Sequence, residues 1–301
     1  MALRFAKVHG LGNDFLMMDF RAGDPAPTPA TPAGAIALCD RKFGVGGDGL
    51  LIARPASAGV AADVRMQILN SDGSEAEMCG NGIRAFAKHM YDHDAGLRRP
   101  VLQVETLAGV LACSITTGAD GKVASVSVEM GRPRLERAEI PMLGAPGRVV
   151  DEPIEVAGRG FRVTGVSMGN PHAVCFVAES GAEQRALCEQ YGPALERHAA
   201  FPKKTNAEFA HVVSETEIVL WVFERGCGIT SACGTGACAT AVAGALTGRT
   251  PAGREITLRL PGGPMWITVA KDLSGVRMRG PATHVYDAEL DVTALLGQRA
   301  G

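Results

Sequence analysis

The sequence predicts an α+β chain of two pseudo-symmetric domains, each a curved, mostly antiparallel sheet wrapped around a central helix. Landmarks recur in the same order and at a nearly constant offset. Gly12-Asn13 and Gly169-Asn170 lie 157 residues apart, and two Cys-Gly-x-Gly tetrapeptides, which begin at Cys79 and Cys233, lie 154 residues apart. The stretches after both tetrapeptides carry few charges, as expected of helices buried within a sheet. These observations together indicate an internal repeat of one α+β unit.

Short runs rich in β-branched and apolar residues predict most of the strands. In the first half they are Arg4–His9, Phe15–Phe20, Leu50–Arg54, Val64–Leu69, Val101–Glu105 and Val123–Glu129. In the second half they are Phe161–Ser167, Ala173–Val177, Ala210–Val213, Ile218–Phe223, Ile256–Leu260 and Trp266–Val269. The predicted helices are Gly80–Asp94, Gly181–Glu196 and Gly234–Thr247. Residues 22–34 contain four prolines and are predicted to form a surface loop.

The repeat divides the chain into an N-terminal half of residues 1–131 and a C-terminal half of residues 132–277. Residues 278–301 are expected to return to the first half and complete it. A second stretch rich in proline and glycine, residues 141–153, is the candidate separator of the halves. We expect the active site in the cleft between the two halves.

Composition narrows the functional classes. The chain of 301 residues is 46% hydrophobic and 21% charged, with a net charge of −2, which is typical of a globular protein and argues against nucleic-acid binding. The first ten residues contain no apolar signal-peptide core, and no stretch has the 18 consecutive apolar residues of a membrane span. A cytoplasmic protein without a membrane partner is therefore expected.

The eight cysteines do not form a disulfide or zinc framework. No two are spaced as Cys-x-x-Cys, and a chain of this size does not depend on disulfides for its stability. Most are therefore expected to be small core residues. This spacing also opposes the alternative of a thiol-redox or metal-binding protein, and no metal site is predicted.

Cys79 and Cys233 differ from the other cysteines because each stands at a predicted helix start. A helix N terminus lowers the pKa of a thiol beside it and attracts carboxylates. Two such thiols facing one carbon atom repel each other as a dianion, so that one thiolate and one thiol are favoured. That pair of base and acid is what a cofactor-free racemase or epimerase needs to invert an amino-acid centre.

Two other motifs have simpler interpretations. Residues 44–49 read Gly-Val-Gly-Gly-Asp-Gly, which matches the dinucleotide-binding pattern, but a predicted strand follows it where that pattern requires a helix. It is expected to form a turn near the site. Asn170-Pro-His172, taken alone, is typical of a turn with a solvated or core histidine.

Five segments together resemble the diaminopimelate epimerase family, over nearly the whole chain. The two signatures are Asn70-Ser-Asp-Gly-Ser-Glu-Ala-Glu-Met-Cys79-Gly-Asn-Gly-Ile-Arg and Glu224-Arg-Gly-Cys-Gly-Ile-Thr-Ser-Ala-Cys233-Gly-Thr-Gly-Ala-Cys. The other three are His9-Gly-Leu-Gly-Asn13-Asp-Phe, Phe43-Gly-Val-Gly-Gly-Asp-Gly-Leu-Leu and Met168-Gly-Asn170-Pro-His172. The resemblance implies a pyridoxal-phosphate-independent enzyme that interconverts LL- and meso-diaminopimelate for lysine and peptidoglycan synthesis. It leaves a homodimer open.

The resemblance also implies roles for individual residues. Cys79 and Cys233 correspond to the two acid/base residues, supported by His172 and Glu224. The implied substrate-binding residues are Asn13, Asn70, Gly80, Asn81, Asn170, Asn206, Glu224, Arg225, Gly234 and Thr235. Among them, Gly80-Asn81 and Gly234-Thr235 correspond to backbone donors to the reacting carboxylate, and Glu224-Arg225 to the pair that holds charged groups of the substrate.

The chain departs from the family pattern at two positions. Ile229 stands where many members have Glu, and Gly49 stands where some have a substrate-contacting Gln. Proline and hydroxyproline racemases are the nearest enzymatic alternative. They usually carry His after the first Cys-Gly pair, whereas Asn81 is found here.

Overall fold

The computed structural model describes residues 2–291, which form two compact units. Unit 1 contains residues 2–128 and 280–291, and unit 2 contains Glu129–Arg279. The sequence predicts that the chain returns to the first half from residue 278, and residues 280–291 belong to unit 1. The last part of that segment, residues 292–301, lies outside the described residues. The stretch 141–153 belongs to unit 2, where Ile140 and Val149 are buried in the core, so it does not separate the units.

Within residues 2–291, unit 1 has eight strands and unit 2 has nine, and each unit has two α-helices. Unit 1 is built from β1 (Ala2–Gly10), β2 (Asn13–Asp19), α1 (Pro32–Cys39), β3 (Gly49–Arg54), β4 (Val64–Asn70), α2 (Gly80–His93), β5 (Val101–Thr106), β6 (Gly109–Thr117), β7 (Val123–Glu129) and β17 (Thr283–Asp291). Unit 2 is built from β8 (Glu152–Val156), β9 (Arg159–Ser167), β10 (Pro171–Phe176), α3 (Gly181–Glu196), β11 (Asn206–Ser214), β12 (Glu217–Glu224), β13 (Gly228–Ile229), α4 (Gly234–Leu246), β14 (Glu255–Leu260), β15 (Gly263–Val269) and β16 (Val276–Gly280).

The two sheets have the same topology. In unit 1 the strand order is β17-β1-β2-β3-β4-β5-β6-β7, with parallel pairs β2–β3 and β4–β5 and antiparallel pairs elsewhere. In unit 2 the order is β8-β9-β10-β11-β12-β14-β15-β16, with parallel pairs β10–β11 and β12–β14 at the corresponding places. The short β13 pairs with β12 beside this order. The predicted pseudo-symmetric α+β fold is confirmed.

One helix in each unit is enclosed by its own sheet. Helix α2 packs against β1, β2, β4, β6 and β17, and α4 packs against β9, β10, β11, β14 and β15. Because strands distant from one another in the sheet contact the same helix, each sheet curves around it. Helix α4 is made almost wholly of small residues, and most of them are buried, which allows the strands to approach the helix closely.

Among residues 2–291, five strands (β6, β8, β13, β16 and β17) and one α-helix (α1) were not predicted. Strands β8, β13 and β16 have five residues or fewer, and β6 and β17 bury at most one side chain each, so none of them has a long buried apolar run. Helix α1 begins at Pro32, inside the predicted loop. Thr31 caps it by accepting a hydrogen bond from the Gly34 N–H at 3.0 Å, and proline suits the first helical position. Within residues 2–291, no helix combines the length and apolar character needed to cross a membrane.

Candidate active site

Cys79 and Cys233 cap their helices in the same way. Each has extended backbone angles, with φ and ψ of −135° and 118° at Cys79 and −116° and 108° at Cys233. The Sγ atom of Cys79 accepts a hydrogen bond from the Gly82 N–H at 3.4 Å, and that of Cys233 from the Gly236 N–H at 3.3 Å. Both thiols therefore lie at a helix N terminus, where partial positive charge collects.

The Asn13 amide and two apolar side chains lie near Cys79 at the start of α2. The half-buried thiol lies 3.6 Å from Oδ1 of Asn13. A Cβ atom placed on Gly82 would lie 3.1 Å from Leu51 and 3.5 Å from Phe15.

Asp48 fixes the Asn13 side chain. The Asp48 carboxylate accepts hydrogen bonds from Nδ2 of Asn13 at 2.7 Å and from the Asp14 N–H at 3.0 Å, and it binds Arg41 at 2.8 Å. The glycine-rich stretch 44–49 that supplies Asp48 precedes β3, as the sequence predicted. Asp48 therefore holds the Asn13 amide beside the Cys79 thiol.

A buried arginine anchors the start of α2. The Arg84 side chain is fully buried and donates to the Gly80 carbonyl at 2.9 Å and to Oδ1 of Asn81 at 2.8 Å. The Asn81 amide in turn lies 3.4 Å from Oδ1 of Asn13. A Cβ atom on Gly280 would lie only 2.8 Å from Nε of Arg84, so glycine allows the returning chain to pass there.

We expect Arg84→Met to destabilise unit 1 and loosen the first turn of α2. The substitution leaves the buried Gly80 carbonyl and Asn81 amide without their charged donor, which costs about 3 kcal/mol. Chemical denaturation measures this loss of unfolding free energy. Arg162→Met, at an exposed site of unit 2, is the control and should leave it nearly unchanged. An equally small effect at Arg84 would contradict the anchoring role.

The surroundings of Cys233 are charged and buried. Its side chain is only 4% exposed and lies 3.5 Å from Oγ1 of Thr235. A Cβ atom on Gly236 would lie 3.1 Å from Oε1 of Glu208. That oxygen is also 2.6 Å from Nδ1 of His172, and both side chains of this pair are completely buried. The second oxygen, Oε2, has no hydrogen-bond partner among residues 2–291.

Burial reverses the predicted pKa shift of Cys233. Its pKa is raised well above the usual value, first by burial and then by the negative charges of Glu224 and Glu208. Hydrogen bonds from Thr235 and the Gly236 N–H act in the opposite direction but are weaker. The expectation that the helix N terminus lowers this pKa is therefore wrong, because desolvation of the thiolate outweighs the helix dipole.

Polar side chains continue the network from Cys233. Asn170 places Oδ1 3.0 Å from Nε2 of His172 and its amide nitrogen 3.3 Å from Oγ1 of Thr235. Asn206 accepts a hydrogen bond from the Arg225 N–H at 2.8 Å. His172 thus has an oxygen acceptor at each ring nitrogen, and the predicted residues Asn170, His172, Asn206 and Thr235 lie in one network.

Three predicted residues have local partners instead. Asn70 donates to Oγ of Ser74 at 3.0 Å. The Glu224 carboxylate accepts a hydrogen bond from the Thr230 hydroxyl. The exposed Arg225 directs Nη1 to the Lys203 carbonyl at 3.3 Å.

The repeat shows how the two thiol sites differ. Phe15 and Leu51 of unit 1 lie 157 residues before His172 and Glu208 of unit 2. They also occupy the same strands, because Phe15 pairs with Gly49 as His172 pairs with Asn206. An apolar pair near Cys79 therefore corresponds to a buried histidine and carboxylate beside Cys233.

Sequence reasoning did not identify Glu208, Asp48 or Arg84. For Glu208 a signal was present, because it is the one charged residue in the otherwise apolar run Ala207–Ala210. A carboxylate at a position that predicts complete burial needs a partner.

Comparison with known proteins identifies the family. The family model described as "Diaminopimelate epimerase" matches residues 5–136 and 164–285. A diaminopimelate epimerase of Desulfitobacterium hafniense (strain DSM 10664 / DCB-2) is 48% identical over 293 residues, which cover 97% of this chain and 100% of that protein. One of Desulforudis audaxviator (strain MP104C) is 50% identical over 290 residues, with 95% and 99% covered.

Solved structures share the fold at low identity. A probable proline racemase from Agrobacterium radiobacter K84 has a TM-score of 0.68 at 16% identity, covering 97% of this chain and 95% of its own. A hydroxyproline epimerase from Agrobacterium vitis has a TM-score of 0.65 at 17% identity, with 96% and 91% covered. At such identities the likeness concerns architecture alone. On the family model and the full-length relatives, this chain belongs to the diaminopimelate epimerase family.

Proposed function

We propose that this chain interconverts LL- and meso-diaminopimelate, using Cys79 and Cys233 as the two acid/base residues. The observation that carries the proposal is the matched placement of both thiols as helix caps, in the two signatures of the family. One thiol removes the α-proton from one face of the carbon, and the other delivers a proton to the opposite face. The configuration inverts without a cofactor.

The surroundings of Cys233 indicate which thiol carries the proton before the reaction. A two-base inversion starts from one thiolate and one thiol. Because burial and two carboxylates raise the pKa of Cys233, we place the proton of the resting pair on Cys233. Glu224, one of the two carboxylates, supports the thiol form of Cys233.

Stabilisation of the developing carbanion falls to the two helix starts. Removal of the α-proton puts charge into the substrate carboxylate, and a helix N terminus favours such charge without reorganisation during the reaction. Gly80-Asn81 of α2 and Gly234-Thr235 of α4 are the first residues of these helices. We assign the backbone of both pairs to the reacting carboxylate.

Selection of one centre of a nearly symmetric substrate requires recognition of the distal end. Asn13, Asn70, Asn170 and Asn206 supply neutral donors and acceptors for an amino-acid group. Arg225 suits a carboxylate, since a guanidinium can bind both oxygens at once, and Glu224 suits an ammonium group. The Arg225 side chain is exposed and available for this role.

Isotope incorporation tests the two-base mechanism. LL-diaminopimelate is converted in deuterium oxide and the reaction is stopped early. The delivering sulfur has exchanged with solvent, so the inverted centre of the product should be almost fully deuterated. Recovered substrate should stay protiated. Mass spectrometry of the two separated isomers gives the result.

A single base would leave a different pattern. It would return the original proton to the product, or put deuterium into both isomers if it exchanged with solvent. Either result would contradict the two-base assignment. L-Proline, incubated separately and followed by chiral chromatography, is the control substrate and should stay unchanged.

Location and assembly remain predictions. We place the enzyme in the cytoplasm, because its proposed substrate is a precursor in lysine and peptidoglycan synthesis, and expect neither nucleic acid nor membrane as a partner. A homodimer is tested by light scattering coupled to size-exclusion chromatography.

A further inference from the structure

Three histidines of unit 1 form a compact cluster that the proposed reaction does not use. His89 and His93 lie one turn apart near the end of α2, and His284 lies on β17. The ring centroids of His89 and His93 are 4.3 Å apart, and those of His93 and His284 are 5.1 Å apart. One nitrogen of each residue lies within 4.8 Å of the other two. His89 is ten residues along the helix from Cys79, roughly 15 Å away.

Two ring nitrogens of the cluster are buried without a hydrogen-bond partner among the described residues. Nδ1 of both His89 and His284 is buried and has no hydrogen-bond partner among residues 2–291. Nδ1 of His93 lies 3.0 Å from the His89 carbonyl, and Nε2 of His284 lies 3.3 Å from the Asp287 carboxylate. A buried ring nitrogen without a partner is costly, so the cluster as it stands lacks something that binds these nitrogens.

We propose that His89, His93 and His284 bind a divalent transition-metal ion, and that zinc fits this site best. Three neutral imidazoles and one water make a tetrahedral zinc site. Metal-bound histidines usually donate their other ring N–H to a carboxylate or a backbone carbonyl. The Asp287 carboxylate and the His89 carbonyl provide those two acceptors for His284 and His93.

The distances between the three ring nitrogens suit a zinc ion. Zinc with Zn–N bonds of about 2.0 Å holds its nitrogens about 3.3 Å apart, so modest side-chain rotations bring the three nitrogens into place. His93 is exposed and its side chain can turn. The ion would join β17 to α2, the helix that Cys79 caps.

The test uses the intact chain, freed of metal by a chelator and titrated with cobalt and with zinc. Cobalt separates this site from the thiols, because thiolate ligands add an intense near-ultraviolet charge-transfer band that imidazole ligands lack. We expect one equivalent of cobalt to bind with visible d–d bands and without the thiolate band. Zinc should raise the melting temperature of the same protein.

Variants locate the site. His93→Gln and His284→Gln should each weaken cobalt binding about tenfold or more, and the double variant should abolish the melting shift with zinc. His198→Gln, a histidine of unit 2, is the matched control and should change neither. Unaltered cobalt affinity in the double variant, or a spectrum with the thiolate band alone, would overturn the proposal. Neither readout depends on epimerase activity, so the proposed function is tested separately.

Discussion

Cys79→Ser and Cys233→Ser should each lower the epimerisation rate roughly 10³-fold or more, while the protein stays folded. A hydroxyl group is a far weaker acid than a thiol and supplies almost no base at neutral pH. Serine is also one of the best helix caps, so its oxygen can take over the hydrogen bond from the Gly82 or Gly236 N–H. Loss of activity with an unchanged or higher melting temperature therefore separates catalysis from folding.

Two core thiols supply the controls. Burial raises the pKa of Cys39 to about 11 and that of Cys188 to about 12, so neither is ionised at neutral pH. Cys39→Ala and Cys188→Ala should cost stability through the lost packing but leave kcat near the wild-type value. A Cys233→Ser enzyme with most of the wild-type rate and a normal melting curve would refute the assignment of the acid and base.

Glu208→Gln should lower kcat about 10²-fold and shift the titration of Cys233 to lower pH. Glutamine keeps the shape of the side chain but removes the charge that faces both Cys233 and Nδ1 of His172. Burial raises the pKa of Glu208 itself and the positive charge of His172 opposes this shift. Above that pKa, the Glu208 charge is one cause of the raised pKa of Cys233, so its removal lowers the thiol pKa.

The pH dependence of iodoacetamide alkylation measures this shift. The measurement uses a Cys79→Ser background, so that Cys233 is the one signature thiol, and peptide mapping assigns the modified residue. Glu208→Leu places in unit 2 the residue that unit 1 has at Leu51. It should shift the profile in the same direction and also destabilise the protein by about 1–3 kcal/mol, because Nδ1 of His172 loses its acceptor. An unshifted profile together with an unchanged kcat would show that Glu208 acts on neither group.

The sequence was most informative where a feature is repeated. The helix starts at Cys79 and Cys233 could be predicted because each depends on a local pattern of cysteine and glycine. The repeat offset predicted two units of the same topology, and the α2 and α4 bounds differ from the predicted ones by a single residue. Strand β17 escaped prediction because none of its side chains is buried, so it lacks the apolar run by which the other strands were predicted.

The features that sequence reasoning missed depend on distant contacts. The pKa of Cys233 is raised by burial, then by Glu224 and by Glu208, which lies 25 residues earlier in the chain. The local sequence predicts the favourable helix start, but it does not predict that the Cys233 sulfur is buried away from water. In the same way, no local pattern distinguishes Arg84 from other helix residues, although its guanidinium group contacts both the start of α2 and the returning chain at Pro281.

The position of β17 in the chain also bears on biosynthesis. In unit 2 the edge strand next to β9 is β8, which leaves the ribosome just before it. In unit 1 the edge strand next to β1 is β17, which is translated more than 270 residues later. During that interval the open side of β1 presents unpaired backbone groups that can pair with another nascent chain. The N-terminal half therefore finishes folding last, although it is synthesised first, and depends longest on protection from aggregation.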